Sequence, residues 1–388
     1  MLPNIFFRQT NSIMCIIYLY KNQIMPVKKI KFSILLLLLP YCIFSQGQDS
    51  TIYKIGQMIM IGFSGTSADT ASDFYKDIKD GKVGGITFYE SNLTPANTAE
   101  NLREVINSFQ AASPIVLFTA ITQEGGLVNR LKTKYGFPPM PSAEYLGKLD
   151  NLDSTKYYAD NIAFTLSRLG FNLNFAPVVD IFMATNPVLG SRERTFSDNT
   201  DVIIKHTRQI ILSHNYFKIN TALKHFPGHG SSTTDSHLGL TDVIKTWSAR
   251  ELEPYRKLIK EGLVKAIMTA HIVNENLDSD KNPATLSKKM ITDLLRKDLG
   301  FNGVVFSDDM NMKAISAEYG LKESIERSVN AGIDVLLFSG RIPGVMPNGA
   351  SDIVNIFLEL LKEGKVTKER INESYVRIIK MKTERIKL

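Results

Sequence analysis

The sequence is poor in cysteine. Only two of its 388 residues are cysteines, Cys15 and Cys42, and both lie within the first 46 residues. A disulfide framework, thiolate metal sites and thiol redox chemistry are therefore excluded for the rest of the chain. The stability of that part must come from a buried core, which the 44% content of hydrophobic residues can supply.

Acidic residues are missing from the N-terminal segment. Residues 1–46 contain five of the 46 basic residues and none of the 39 acidic ones, so 41 basic residues face 39 acidic ones in the remainder. The net charge of +7 thus falls to +2 beyond this segment. A nearly neutral body offers no basic surface to a polyanion, so the sequence predicts no nucleic-acid partner.

The same segment has the pattern of an export signal. The basic patch Lys28-Lys29-Ile30-Lys31 precedes the apolar run 33–44, which is too short for a membrane span. We expect a signal peptide over residues 1–47, with Met25 as the true start, and an exported protein, periplasmic or extracellular, without a stable span after cleavage. An uncleaved membrane anchor is the alternative.

Short apolar, β-prone runs alternate with longer amphipathic stretches from residue 51 onward. Such unbroken apolar runs are typical of strands buried on both faces, and the alternation predicts a parallel sheet with right-handed crossovers. Eight units favour an α/β fold with one closed (β/α)8 TIM-type barrel over residues 48–388, rather than an open doubly wound sheet. The runs are Ile55–Phe63, Val83–Tyr89, Ile115–Ile121, Phe171–Asp180, Thr221–Phe226, Ala266–His271, Gly303–Phe306 and Asp334–Phe338.

The stretches between the runs contain helix signals. Ser248 and Glu251 have the spacing of a capping box, which predicts that a helix begins there. Another helix is predicted to end at Gly300, since glycine adopts the left-handed conformation that follows a helix. Two more helices are predicted over residues 351–362 and 366–385.

Polar residues follow most of the predicted strands. In a barrel of this kind the reacting groups lie at the carboxyl ends of the strands, so these side chains are expected to converge on one pocket. They are Thr122 to Gly126 after strand 3, Asp180 after strand 4, Lys224 and His225 after strand 5, His271 after strand 6, Ser307 to Asp309 after strand 7 and Ser339 after strand 8.

The densest polar stretch is 224–237. Asp235 and His237 are two residues apart, so in extended backbone they point to one side, where the carboxylate can orient the imidazole as a general base. A metal site built from His225, His229, Asp235 and His237 is an alternative, although the spacing matches no standard zinc pattern. A phosphate loop lacks the required Gly-Lys-Ser/Thr. An ordinary surface histidine is a third interpretation.

Asp308 and Asp309 form a second constellation. Two adjacent carboxylates at a strand end cannot both point into the barrel mouth. We expect Asp309 to cap the helix that begins at Met310, and Asp308 to face the pocket. The alternative makes both of them caps or ion-pair partners.

Five motifs, in this order, give the sequence its resemblance to a known family. They are Gln123–Gly126, Asn186–Gly190, Lys224–His237, Met268–His271 and Phe301–Met310. Together they resemble glycoside hydrolase family 3, and more narrowly its single-barrel β-N-acetylhexosaminidases, over residues 51–385.

The resemblance implies an enzyme that hydrolyses terminal β-linked N-acetylglucosamine with net retention and without a cofactor or metal. In this chain Asp308 matches the nucleophile and His237 the general acid/base, with Asp235 as its partner. The carbohydrate substrate would be bound at positions that correspond to Thr122, Arg130, Arg194, Lys224 and His225. Arg192 is a rival to Arg194, but its spacing to Lys224 fits less well.

Two positions depart from the family pattern. Thr122 replaces an aspartate that accepts from sugar hydroxyls, and Leu127 replaces an arginine. We therefore expect altered affinity or sugar preference, by a few kcal/mol at most. The alternatives are a β-glucosidase-like specificity and a sugar-binding pseudoenzyme. Because a histidine replaces one anion of the pocket, phosphorolysis is open as a variant reaction.

Overall fold

The structure is a computed structural model, and it describes residues 49–236, 239–340 and 349–384. The predicted signal peptide over residues 1–47 and the predicted acid/base His237 lie outside these described ranges. Within them, no helix is both long enough and apolar enough to cross a membrane.

Eight parallel strands close into a barrel. β1 pairs with β2 on one side and with β10 on the other, so the sheet has no open edge. The barrel predicted from the eight apolar runs is thereby confirmed, and the open sheet is excluded. The barrel strands are β1 (Ile59–Gly62), β2 (Gly85–Phe88), β3 (Phe118–Ile121), β4 (Leu173–Asn174), β5 (Asn220–Phe226), β7 (Ala266–Thr269), β9 (Val304–Asp309) and β10 (Val335–Phe338).

Helices connect the strands, and a two-stranded parallel ladder of β6 (Thr241–Asp242) and β8 (Ile272–Val273) lies beside the barrel. A π-helical segment, Lys289–Asp298, precedes β9, and Gly300 after it adopts a positive φ, as predicted. The α-helices are α1 (Asp49–Gln57), α2 (Asp73–Lys79), α3 (Thr98–Ala112), α4 (Ala143–Leu149), α5 (Leu152–Leu169), α6 (Thr200–Tyr216), α7 (Glu253–Lys260), α8 (Lys313–Ser316), α9 (Leu321–Ala331), α10 (Ala350–Lys362) and α11 (Lys368–Thr383).

Aromatic side chains fill the barrel interior. The ring of Phe306 from β9 makes edge contacts with the rings of Phe118 and Phe175, both at 5.5 Å between centroids. These residues come from opposite sides of the barrel and are almost fully buried. The interior is therefore a packed core and not a pore.

Two local predictions are wrong. The run Phe171–Asp180 supplies only a two-residue strand, β4, and beyond Pro177, which has no N–H to donate, it pairs with β5 through a single bridge between Val178 and Lys224. The capping box also fails: Ser248 precedes a 3-10 turn, Ala249–Leu252, but its side chain makes no cap hydrogen bond. The Glu251 carboxylate instead accepts hydrogen bonds from the loop after β5.

Candidate active site

The carboxyl ends of the barrel strands enclose a cavity of about 420 Å³. This volume lies within the usual range of small-molecule sites. Every residue predicted to act in catalysis or substrate binding that falls in the described part of the chain lines the cavity: Thr122, Arg130, Arg194, Lys224, His225, Asp235 and Asp308. Ser339 lines it too, whereas Glu124, Asp180, His271 and Ser307, which the sequence also predicts to converge there, do not.

A buried ion cluster forms one side of the cavity. The Glu124 carboxylate accepts two hydrogen bonds from the Arg194 guanidinium, from Nε and Nη2, both at 2.8 Å. Lys224 Nζ lies 2.7 Å from the same carboxylate, and the Lys224 side chain is only 3% exposed. Arg194 and Lys224 are therefore fixed in place and retain further N–H groups that can donate to a ligand.

The charges in this cluster support one another. Burial alone would raise the pKa of the Glu124 carboxyl, but the positive charges of Arg194 and Lys224 outweigh burial and hold that pKa well below its usual range. Burial lowers the pKa of Lys224, and Arg194 adds to this, while Glu124 opposes it. Two cations around one carboxylate leave the wall with a net positive charge that suits electron-rich hydroxyl oxygens.

A tight turn places Glu124 and Arg130. Gly125 adopts a φ of +102°, and a Cβ at this position would lie 2.2 Å from the carbonyl oxygen of Pro141. Only glycine therefore allows this approach. The Gln123 side chain closes the turn, because its Oε1 accepts from the backbone N–H groups of Arg130 and Leu131.

The loop after β5 begins with a second buried pair. Asp180, from the segment after β4, contacts Nδ1 of His225 at 2.7 Å and accepts from the backbone N–H of His229 at 2.7 Å. Burial would raise the pKa of Asp180, but His225 and the His229 backbone outweigh burial and lower it. This contact orients the His225 ring at the cavity wall.

Asp308 lines the cavity as predicted, but Asp309 lines it too, so the predicted division between the two carboxylates is wrong. Asp308 Oδ1 accepts from the backbone N–H of Asp309 at 2.8 Å. The Asp309 carboxylate accepts from the backbone N–H and hydroxyl of Ser339, which follows the neighbouring strand β10, and from Asn311 N. The predicted cap is wrong, since α8 begins only at Lys313; Asp309 joins β9 to the chain after β10 instead.

The two histidines of this stretch that the structure describes, His225 and His229, are engaged by protein groups. His225 Nδ1 contacts Asp180, and His229 Nε2 lies 3.0 Å from the hydroxyl of the buried Ser236. Across residues 49–236, 239–340 and 349–384, no group of three or more His, Cys, Asp or Glu side chains is arranged to hold a metal ion.

Sequence reasoning missed the groups that hold the binding residues. Glu124 and Asp180 stand in the motifs and strand ends that predict the site, yet neither was assigned a role. Their partners lie 45 to 100 residues away in the chain, so the only available signal is their position at a strand end. Both Arg192 and Arg194 line the cavity, but Arg192 is exposed whereas Arg194 is bound to Glu124.

The chain is similar to known proteins both in sequence and in fold. The family model described as "Glycosyl hydrolase family 3 N terminal domain" matches residues 51–381. A protein named Beta-hexosaminidase A from Pseudoalteromonas piscicida is 33% identical over 331 residues, which cover 78% of this chain and 53% of the relative. A Beta-hexosaminidase from Neisseria meningitidis serogroup C is 32% identical over 68% of this chain and 73% of its own length.

A solved structure from the same family is similar to this chain in fold. The glycoside hydrolase family 3 β-N-acetylglucosaminidase from a Paenibacillus species matches with a TM-score of 0.78 and 32% identity, over 86% of this chain and 62% of that one. The chain thus spans about half to two thirds of the Pseudoalteromonas and Paenibacillus proteins. The predicted family is confirmed: the chain belongs to glycosyl hydrolase family 3.

Proposed function

We propose that this protein is a retaining exo-glycosidase that removes terminal β-linked N-acetylglucosamine, or a related N-acetylhexosamine, from a glycan. The observation that carries the proposal is the presence of Asp308 in the same cavity as His225 and the two cations, Arg194 and Lys224, that Glu124 holds. The relatives named β-hexosaminidases support the sugar class.

In the proposed mechanism Asp308 is the nucleophile. Its carboxylate attacks the anomeric carbon while the glycosidic C–O bond breaks, and protonated His237 gives its proton to the leaving oxygen. His237 then takes a proton from water, whose oxygen attacks the anomeric carbon and releases Asp308. Two inversions return the β configuration.

The cation cluster acts on the sugar rather than on the bond that breaks. Arg194 directs three N–H contacts to Glu124 and Val188 and has two further N–H groups, and Lys224 has two beyond its contact with Glu124. Directed at hydroxyl oxygens, these donors would fix the ring against Asp308. Such orientation is a large part of what an enzyme contributes to a displacement.

The first test is an activity panel with purified protein. We expect hydrolysis of the 4-nitrophenyl N-acetyl-β-glucosaminide to exceed that of the β-glucoside, and NMR to show the β anomer as first product. A greater rate on the glucoside would favour glucosidase specificity. Binding of N-acetylglucosamine without turnover of either substrate would favour a sugar-binding protein.

The second test addresses the nucleophile. A 2-fluoro glycosyl reagent with a good leaving group should add one sugar mass to the peptide containing Asp308, and Asp308→Asn should prevent both labelling and turnover. Asp293→Asn, a surface change in the π-helical segment before β9, is the matched control, and this variant should be labelled normally. Labelling of a different carboxylate would contradict the assignment.

We also propose that the protein is exported and acts in cell-wall or other glycan turnover. The support is the basic patch and apolar run of residues 28–44, which lie outside the described residues. N-terminal sequencing of protein recovered from cell fractions should give a start near residues 46–48 in the exported fraction. A protein that begins at residue 1 or 25 in the cytosol would contradict this proposal.

A further inference from the structure

A buried carboxylate that does not line the cavity contacts the loop after β5. Glu251 is 2% exposed and lies in the turn Ala249–Leu252, just before α7. Its Oε2 accepts a hydrogen bond from Gly230 N at 2.9 Å, and its Oε1 accepts one from Ser231 N at 3.3 Å. Both donors belong to the loop that contains Asp235.

The chain is shaped to allow this contact. Gly228 adopts a φ of +122°, and a Cβ at that position would lie 2.5 Å from Glu251 Oε2 and 2.4 Å from Glu251 Cβ. Two further groups hold the same stretch: Asp180 accepts from His229 N at 2.7 Å, and Asn186 Nδ2 donates to the carbonyl oxygens of His229 and Gly230. The stem of the loop is thus fixed, whereas Thr233 and Thr234 beyond it are exposed.

A carboxylate in this position is costly to keep. Two titratable groups face the Glu251 carboxylate: Asp180, which repels it, and Tyr255 of α7. His225 and His229 both contact Asp180. Burial, with Asp180 adding to it, raises the pKa of Glu251 to about 7. An apolar residue or glutamine would avoid this cost. We therefore take the role of Glu251 to be that of its two carboxylate oxygens, which accept hydrogen bonds from two backbone amides.

We propose that Glu251 is a positioning residue for the acid/base half of the reaction: its carboxylate holds the Gly230 and Ser231 amides and thereby sets where the loop presents Asp235, the proposed partner of the acid/base. This inference rests on the proposed function. Glu251 touches no substrate in this scheme, and it acts only through the loop backbone.

The variant Glu251→Gln tests the proposal. Glutamine keeps one acceptor oxygen but turns an NH2 group toward a backbone N–H, so one hydrogen bond becomes a donor–donor contact. We expect hydrogen exchange at Gly230 and Ser231 to accelerate on the order of tenfold to a hundredfold, while the β5 amides keep their protection. Glu253 is an exposed neighbour paired with Arg256, and Glu253→Gln is the matched control. It should change neither the exchange at Gly230 and Ser231 nor the protection of the β5 amides.

Kinetics separate positioning from a general structural role. For Glu251→Gln we expect kcat to fall at least tenfold on a substrate whose leaving group needs protonation, such as a disaccharide. The rate of the first, glycosyl-transfer step on a dinitrophenyl glycoside should change less than twofold, because that leaving group needs no proton. Equal losses on both substrates, or unchanged exchange at Gly230 and Ser231, would overturn the proposal.

Two safeguards keep the outcomes distinct. If the wild-type protein cleaves no glycoside, the proposed function fails, but the exchange experiment still decides whether Glu251 holds the loop. If Glu251→Gln does not fold, Glu251→Asp replaces it, because the shorter aspartate keeps the charge but cannot reach both amides. Exchange at Gly230 and Ser231, relative to Ala222 and Leu223 of β5, should then accelerate severalfold; an unchanged ratio would overturn the proposal.

Discussion

At the scale of single residues, the buried Glu124 decides whether the binding wall can exist. It is the shared counter-ion of Arg194 and Lys224, and all three side chains are largely removed from water. We expect Glu124→Gln to lower the free energy of unfolding by about 3–5 kcal/mol, since it leaves two buried cations around a neutral amide. Urea denaturation measures this loss, and KM should rise because both cations lose their fixed positions.

An exposed ion pair provides the comparison. Glu359 contacts Lys322 at 3.0 Å on the surface, where such a pair contributes about 1 kcal/mol at most. Glu359→Gln should therefore change the free energy of unfolding within that limit and leave KM unchanged. If Glu124→Gln were no more harmful than this control, the cluster would not organise the site.

Thr122 tests the departure from the family pattern. It lines the cavity, where an aspartate would supply a charged acceptor for a sugar hydroxyl. Thr122→Asp is expected to lower KM about tenfold, because a hydrogen bond to a charged group contributes about 1.5–3 kcal/mol. Thr122→Asn, which has the same shape without the charge, is the control. No gain with aspartate would mean that position 122 does not contact the sugar.

At the scale of the elements, the sequence could predict most of the strands because they contain short apolar runs. Buried parallel strands need apolar side chains on both faces, and that demand is local and visible in runs such as Ala266–His271. The alternation with helices then limits the topology to very few choices. The convergence of Asp308, Lys224 and Arg130 at one end follows directly from that topology.

Side-chain contacts between elements could not be predicted in the same way. Glu251 has the sequence spacing of a helix cap, but its partners are Gly230 and Ser231, about 20 residues earlier. Asp309 likewise accepts from Ser339, 30 residues later, instead of capping a helix. Local spacing carries no information about which distant backbone donor is buried beside a carboxylate.

The contact between the Ala249–Leu252 turn and the loop has a consequence for stability. The pKa of Glu251 is raised from its usual 4.5 to about 7 in the folded state, so the folded state binds more protons than the unfolded state between these values. The contribution of Glu251 to the free energy of unfolding therefore falls as pH rises from 4.5 to 7. This change amounts to about 3 kcal/mol or less.

The variant Glu251→Gln isolates this effect, since glutamine does not titrate. The stability of the variant relative to the wild type should increase by up to about 3 kcal/mol between pH 5 and pH 8, as urea denaturation at both values would measure. A relative stability that does not change with pH would mean that the Glu251 carboxyl is not desolvated in solution.

At the scale of the whole molecule, the groups that line the cavity and a buried ion cluster that holds the fold together lie at opposite ends of the barrel strands. The carboxyl ends of the strands hold the cavity, whereas the amino ends hold a second buried ion cluster around Asp334, just before β10. Its carboxylate accepts from Val305 N of β9 and from the Ser374 hydroxyl of α11. It also pairs with the guanidinium groups of Arg296, Arg370 and Arg377. One side chain thus joins two strands, the segment before β9 and the last helix.

This separation predicts that a change at Asp334 affects stability without affecting catalysis. Asp334→Asn keeps the shape but removes the charge that three arginines share, so we expect the free energy of unfolding to fall by about 3–5 kcal/mol. The kcat of the remaining folded protein should stay within about twofold of wild type, because the cavity lies at the opposite end of the strands. Urea denaturation and assays well below the unfolding midpoint measure the two quantities, with Asp293→Asn as the surface control. A kcat that falls in proportion to stability would show that the two ends of this barrel are coupled, and that the cavity depends on the contacts that Asp334 makes with α11.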